Sequence, residues 1–189
     1  MLKIALAGSI ASGKSTVEAI LRDKGYDVYD TDKIVHEILD SSQEVMRQFS
    51  EFDIFTNGRI DRKKLGNIVF SDTKLLRELE NIIHPKVKEE ILKIFEEKKD
   101  VVFISVPQLY ESGFDRMFDK VIFVTADEKV RLERLMQRNS ISSEEALIRI
   151  KAQKDEEEKI KKSDYVLKNN SDLDALQENL DSILNNILL

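Results

Sequence analysis

Gly8-Ser9-Ile10-Ala11-Ser12-Gly13-Lys14-Ser15 is the stretch on which the fold turns. It fits G-x-x-x-x-G-K-[ST] and is followed by Thr16. At average residue frequencies a chain of this size meets the pattern by chance about one time in a hundred. Its surroundings sharpen it. Leu2 to Ala7 is a short apolar run that stops at Gly8, and Val17, Ile20 and Leu21 then recur at helical spacing between Gly13 and Lys24. The order is strand, glycine-rich loop, helix, in which successive backbone N–H groups and a helix N-terminus make an anion site for phosphates. Gly8 and Gly13 permit backbone conformations and a close approach that a side chain would obstruct. Lys14 neutralises charge on the β and γ phosphates, and Ser15 ligates magnesium. The plainer reading is an ordinary glycine turn before a helix.

Outward from the loop, Gly25 ends the first helix and Tyr26 to Asp30 reads as a second strand. Val101 to Val106 and Lys120 to Thr125 are near-continuous apolar runs of the kind buried in a parallel sheet, and Asp164 to Leu167 offers a fifth strand. Helical patterns separate them, including Glu128 to Arg138 and a closing helix from Asp172 to Leu189. The expected fold is α/β, a doubly wound, five-stranded, mostly parallel sheet flanked by helices. Between Asp32 and Lys99 no strand is expected. Amphipathic helical patterns fill that stretch, notably Lys74 to Glu97, with His84-Pro85 as a break. A second insertion, Gln137 to Gln153, has a polar break at Asn139-Ser140 and then a helix opening at Ser142 or Ser143, with Glu144 and Glu145 in its first turn.

The chain has 189 residues, 41% hydrophobic, which suits one substantial core with insertions. A net charge of -6 with acids and bases interleaved gives no basic face, so no nucleic-acid partner is expected. Met1 to Ala7 is too short for a signal peptide or a span, and no run of about 20 apolar residues follows, so no membrane partner and a cytoplasmic location are expected. With no cysteine, thiolate nucleophiles, disulfides and Cys-ligated zinc drop out. His36 and His84 are the only histidines, far apart in sequence, which argues against a histidine metal site.

Asp30 and Asp32 fall at the end of the second strand, on the edge where open α/β sheets bind ligands. A carboxylate there can orient or deprotonate an attacking hydroxyl, or hold water on magnesium. Asp32 can equally cap a helix beginning at Lys33. Arg131, Arg134 and Arg138 share one side of a helix, with Arg149 further on; such a row is either a phosphoryl clamp or a solvated face paired to Glu133 or Glu145. Ser105 stands where a magnesium-holding acid often ends the third strand of phosphate-loop proteins, and no N-K-x-D guanine-reading element is present, which speaks against a GTPase or motor ATPase.

With these positions in place, the chain resembles the bacterial dephospho-coenzyme A kinase family over essentially its full length. After the loop come Asp30-Thr31-Asp32, Ile83-His84-Pro85 and Pro107-Gln108-Leu109-Tyr110-Glu111. Arg134-Leu135-Met136-Gln137-Arg138, Arg149-Ile150-Lys151-Ala152-Gln153 and Asp164-Tyr165-Val166-Leu167-Lys168-Asn169 follow in that order. The resemblance implies a nucleotide-binding core (1–31, 100–136 and 154–189), a helical coenzyme A-binding insertion (32–99) and a small helical lid (137–153). It implies transfer of the ATP γ-phosphoryl to the ribose 3′-hydroxyl of dephospho-coenzyme A, with Mg2+, by a monomer or weak homo-oligomer. Asp32 becomes the base or orienting carboxylate, Lys14 a catalytic cation and Arg138 the lid arginine. ATP falls to Gly8, Ala11, Ser12, Gly13, Lys14, Ser15, Thr16 and Asn169, the last near the adenine. Asp32, His84, Leu109, Tyr110 and Arg149 fall to the acceptor substrate, with His84-Pro85 equally suited to shaping the helical insertion.

The chain departs from the family pattern at several positions. Ser9 and Ala11 replace loop glycines, Ser105 an Asp, His36 an Arg, Arg131 a Gln and Gln108 a Leu. Small loop replacements are tolerated if their φ angles are negative. Magnesium is then left to Ser15, phosphate oxygens and water, with Asp30, Asp32 or Glu111 as outer acids. A kinase for another small alcohol or nucleotide, and an ATP-binding module without catalysis, stay open at this level.

Overall fold

The computed structural model describes residues 1–98, 100–153 and 156–188, so the expected segment ends at Lys99, Lys154 and Leu189 lie outside it. The chain divides into two compact units, Met1–Tyr29 with Asp100–Leu189, and Asp30–Lys99.

In the first unit, strands β1 (Leu2–Gly8), β2 (Asp27–Asp30), β5 (Val101–Ser105), β6 (Lys120–Thr125) and β7 (Tyr165–Lys168) form one sheet in the order β2-β5-β1-β6-β7. β1 runs parallel to both β5 and β6, and β6 parallel to β7. The register sets Leu6 beside Ser105, Gly8 beside Val124 and Thr125 beside Lys168. The ends of β5, β6 and β7 therefore gather around the loop that leaves β1. Ile4 and Leu6 of β1, Phe103, Ile122, Val124 and Leu167 share a core with Val17, Ile20 and Leu21 of helix α1 (Lys14–Asp23) and Leu176, Leu180 and Leu184 of helix α9 (Leu173–Leu188). The spacing of two on strands and four on α9 is what lets one face of each element meet the others. Ala5, Val121 and Phe123, on the alternate positions, are buried as well, which is why these strands read as continuous apolar runs.

Helices α6 (Glu128–Asn139), α7 (Ser143–Ala152) and α8 (Glu156–Lys162) lie between β6 and β7 in the chain. Ser140, left-handed at φ 52, closes α6, and Ser142 opens α7 with a capping box in which its hydroxyl and Glu145 exchange bonds with each other's backbone. Leu135, Ala146 and Ile150 pack α6 on α7, with Ile10 and Ala11 of the glycine-rich loop against them.

The second unit holds α2 (Thr31–Ser41), α3 (Gln43–Gln48), a hairpin of β3 (Phe55–Thr56) and β4 (Arg59–Ile60), α4 (Arg62–Val69) and α5 (Thr73–Glu97). The hairpin corrects the expectation of a strand-free stretch. Asn57 at φ 51 and Gly58 at φ 74 supply the two left-handed residues that a two-residue turn needs. Each strand is only two residues long, too short to carry an alternating pattern.

α5 also differs from expectation, for it runs through Pro85 without a break. A proline inside a helix costs about 3 kcal/mol through its missing N–H and ring clash. Ile83, Val87, Ile91 and Phe95 are buried along one face of the same helix, and each is worth about 1.5–3 kcal/mol. Four such residues outweigh one proline. Pro85→Ala is expected to stabilise the protein by about 2 kcal/mol after allowing for the looser unfolded chain. A raised urea midpoint at unchanged slope is the readout.

Candidate active site

The loop between β1 and α1 is shaped by close approaches that only glycine allows. A Cβ on Gly8 would stand 2.7 Å from the Val124 carbonyl oxygen, and one on Gly13 would stand 2.2 Å from Asn169 Nδ2. Gly13 also holds φ 91. Gly13 is the N-cap of α1 and offers no side-chain cap, and the first turn carries no acid, so that helix end is left for an outside anion. Ser15 and Thr16 are exposed in that turn. Ala11 lies at φ 59, contrary to the negative value expected of a tolerated replacement; its methyl packing against α6 and α7 offsets only part of a strain of about 1–2 kcal/mol. Ser9 is not among the left-handed residues.

Below the loop, Lys14 Nζ lies 2.9 Å from Glu18 Oε1, one helical turn along α1, and also donates to Ser105 Oγ at the end of β5. The Ser105 hydroxyl donates in turn to Glu18 Oε1 at 2.7 Å. Arg22 Nη2 reaches the other carboxylate oxygen at 3.4 Å. Ser105 is fully buried and Glu18 is only 6% exposed. Burial pushes the Glu18 carboxyl up, but its hydrogen bonds to Lys14 and Ser105 and the charges of Lys14 and Arg22 win, and it is held below the usual carboxylate range.

Two further ties fix the loop. Asn169, just past β7, donates from Nδ2 to the Ser12 carbonyl at 2.8 Å, and Arg134 bridges Ser12 O and Asn169 Oδ1 at 3.4 Å each. Glu156 at the head of α8 accepts from Ser9 Oγ at 2.8 Å and from Thr125 Oγ1, and pairs with Arg131 at 2.7 Å. Gln153 accepts from Ile10 N at 2.6 Å. A loop with glycines where backbone must pass closely, a lysine at the head of a helix and arginines facing it is phosphate-handling machinery.

A family model described as dephospho-CoA kinase matches residues 2–175. The chain belongs to the dephospho-CoA kinase family. A relative named dephospho-CoA kinase from Fusobacterium nucleatum subsp. nucleatum is 45% identical over 177 residues, 92% of each chain. The solved structure of dephospho-CoA kinase from Campylobacter jejuni superposes with a TM-score of 0.76 at 34% identity, covering 98% of this chain and 96% of that one. Shikimate kinase from Bacteroides thetaiotaomicron, at 16% identity and a TM-score of 0.60 over 100% of this chain and 99% of that one, shares the fold alone. The protein is thus an ATP-dependent kinase built on a phosphate-loop α/β sheet.

For this kinase the expected site residues fall into four groups. Gly8, Ala11, Ser12, Gly13, Lys14, Ser15, Thr16 and Asn169 are brought together around the loop. Arg138, with Nε on Asn139 Oδ1 at 2.9 Å, and Arg149 are exposed on α6 and α7. Leu109 is 1% exposed and belongs to the core, while the Tyr110 hydroxyl is buried without a hydrogen-bond partner among the described residues, its phenol pushed up to about 12 chiefly by burial. Asp32 and His84 belong to the second unit, Asp32 exposed in the first turn of α2 and His84 half-buried within α5. The helix cap is not Asp32 but Asp30, whose Oδ1 accepts from Asp32 N at 3.0 Å. The arginine row divides: Arg131 is buried on Glu156 and Arg134 meets Ser12 and Asn169 rather than Glu133 or Glu145, whereas Arg138 is solvent-exposed.

Glu18 and Glu156 are residues that sequence reasoning did not single out, and Gln153, quoted within the Arg149–Gln153 motif, was given no role there. The available signal for Glu18 was a carboxylate four residues after the loop lysine, beside Val17 on the apolar side of α1. Glu156 lies in an acidic run with nothing to separate it from its neighbours.

Gly13→Ala is expected to cost about 2–4 kcal/mol, from left-handed strain plus the displaced Asn169–Ser12 bond, and to abolish nucleotide binding; thermal unfolding with a fluorescent ATP analogue reads both. Because the Glu18 carboxyl is held below its ordinary value, the stability it contributes is complete above about pH 4.5 and is lost as the pH falls through the folded-state value. Glu18→Gln is expected to remove that part of the acid limb, so that stability below about pH 4.5 falls less steeply than in the wild type.

Proposed function

We propose that this chain carries out the dephospho-CoA kinase reaction with Lys14 countering phosphate charge, Asp32 placing the ribose 3′-hydroxyl, Arg138 closing over the transferred group and Arg149 binding the acceptor. The observation that carries the reading is Lys14, seated at the uncapped head of α1 in a loop that glycine alone can form. The γ-phosphoryl leaves ADP and passes to the 3′ oxygen, and the hydroxyl proton goes to Asp32, which follows the end of β2. Positioning and charge stabilisation supply most of the acceleration in such a transfer.

Magnesium fits this donor set. Ser15 offers an exposed hard oxygen beside the phosphate position, and no cluster of three or more His, Cys, Asp or Glu that could hold an ion exists among the described residues. That suits an ion carried on the nucleotide's phosphates with one protein hydroxyl and water. When bound, it neutralises charge on the phosphate oxygens.

Residues 32–99 hold the coenzyme A precursor and 137–153 act as the lid. The first assignment is supported by the compactness of Asp30–Lys99, a body large enough for the pantetheine arm, and the second by the α6–α7 packing against Ile10 and Ala11. Closure would exclude water that competes for the phosphoryl group. The small-molecule substrates suit a cytoplasmic enzyme, and no helix among the described residues is long and apolar enough to cross a membrane.

A coupled ADP-release assay with ATP and Mg2+, comparing dephospho-CoA with adenosine, AMP and shikimate, tests the reading. ADP is expected with dephospho-CoA alone, and the product should carry phosphate on the ribose 3′ position. Asp32→Asn should lower kcat by about 10²-fold or more with KM nearly unchanged, and near-normal turnover would remove Asp32 from its role. Lys14→Ala should weaken both ATP binding and rate, and, with Ser105 and Arg22 still on the Glu18 carboxylate, it should also cost about 1–3 kcal/mol of stability.

A further inference from the structure

Glu18 is a buried carboxylate that the phosphoryl-transfer scheme above does not use. It sits 2.9 Å from Lys14 Nζ, its side chain is only 7% exposed, and the Ser105 hydroxyl bridges the two. On an exposed helix an i,i+4 pair of this kind contributes only a few tenths of a kcal/mol. Buried, it stabilises little more, because desolvating both ions offsets most of their attraction. Its effect is directional. An ammonium has three donors, and the Glu18 and Ser105 contacts engage two of them, leaving the third. The stem of Lys14 rises from the first residue of α1, and two anchors from different elements, α1 and β5, fix where its tip can stand.

We propose that Glu18 is a positioning residue for the kinase reaction. Its carboxylate, linked through the Ser105 hydroxyl, holds the Lys14 ammonium where the phosphates of ATP arrive, and leaves one N–H for them. The inference rests on the role of Lys14 in the kinase reading. It assigns to α1 and the β5 hydroxyl together the task of aiming the lysine, whereas the charge that attracts ATP stays with the lysine itself. Losing the anchor should therefore lower turnover more than affinity, since misplacing a catalytic group by about 1 Å can cost up to about 10²-fold in rate.

The test uses Glu18→Gln, Ser105→Ala and the double variant Glu18→Gln with Ser105→Asp, in the ADP-release assay, with ATP affinity by calorimetry and thermal melts alongside. The wild type is the control for the reading beneath: if it releases no ADP with dephospho-CoA, the substrate assignment fails and the variant ratios do not arise. Glu18→Gln is expected to lower kcat by about tenfold or more while the Kd for ATP stays within about threefold. Ser105→Ala, which keeps the ion pair and removes the bridge, is expected to lower kcat by about three- to tenfold. Ser105 Oγ already touches Lys14 Nζ, so an aspartate at 105 brings a carboxylate to the same ammonium from β5 and should return the double variant to within about threefold of wild-type kcat. A purely structural pair would lower the melting temperature of Glu18→Gln and leave kcat within about twofold of wild type below it, which overturns the proposal. So does ATP binding about tenfold tighter at undiminished kcat, which would make the pair a brake on the lysine, or a double variant no faster than Glu18→Gln alone. Should Glu18→Gln not fold, Ser105→Ala decides on its own: unchanged kcat overturns the proposal.

Discussion

The bond from Asn169 Nδ2 to the Ser12 carbonyl is the constraint around which the nucleotide-binding unit is arranged. It joins the loop after β1 to the residue that follows β7, two strands away in the sheet order β1-β6-β7. It closes only because Gly13 has no side chain, since a Cβ there would lie 2.2 Å from the donor nitrogen. The parallel register of β6 with β7 delivers Asn169, whose own N–H is held by Thr125 O at 2.8 Å. Sheet, loop and helix head are thus one geometric problem with one solution. Arg134 adds a charged second support to both partners of the same bond.

The unit's buried charges are concentrated where that geometry is tightest. Lys14 with Glu18, and Arg131 with Glu156, each bring a cation and an anion into partly or wholly dry surroundings beside the loop. Neither adds much net stability by itself, because desolvation consumes the attraction. Each partner would be costly to leave alone. The pairs therefore act as constraints on placement, and they explain residues that look odd beside the family pattern. Ser9, in place of a loop glycine, supplies a hydroxyl to Glu156; Arg131, in place of a glutamine, supplies its counterion; Ser105, in place of an aspartate, meets a carboxylate that α1 provides.

Much of this was legible in the chain. Three of the five strands, β1, β5 and β6, were visible because apolar runs buried on two faces need no alternation, and the phosphate loop was visible because its glycines and lysine have fixed spacing. Glu18 was not visible as a functional residue, because the hydroxyl that links it to Lys14 belongs to Ser105, 87 positions later, and no local pattern reports that. Arg131 stayed open between a phosphoryl clamp and a solvated row for the same reason, its partner Glu156 lying in a run of acids. Pro85 misled in the opposite sense. The local penalty was correctly recognised, but the four buried residues that outweigh it act through tertiary packing. The Asn57-Gly58 turn is a strong local signal that went unused because its strands are too short to show a period.

Helix α8 is seven residues long and buries none of them, so it has no apolar core of its own. Among the described residues its ties are polar and ionic, Glu156 on Arg131, Ser9 and Thr125 and Lys159 on Glu111, whereas α6 and α7 are joined by Leu135, Ala146 and Ile150. The two attachments answer to different solvents. Added salt screens the partly exposed Lys159–Glu111 pair and slightly strengthens apolar burial when the salt is a sulfate or phosphate. The ionic medium thus acts unequally on neighbouring helices, loosening the one whose acid holds Ser9 while leaving the helix pair against Ile10 and Ala11 in place.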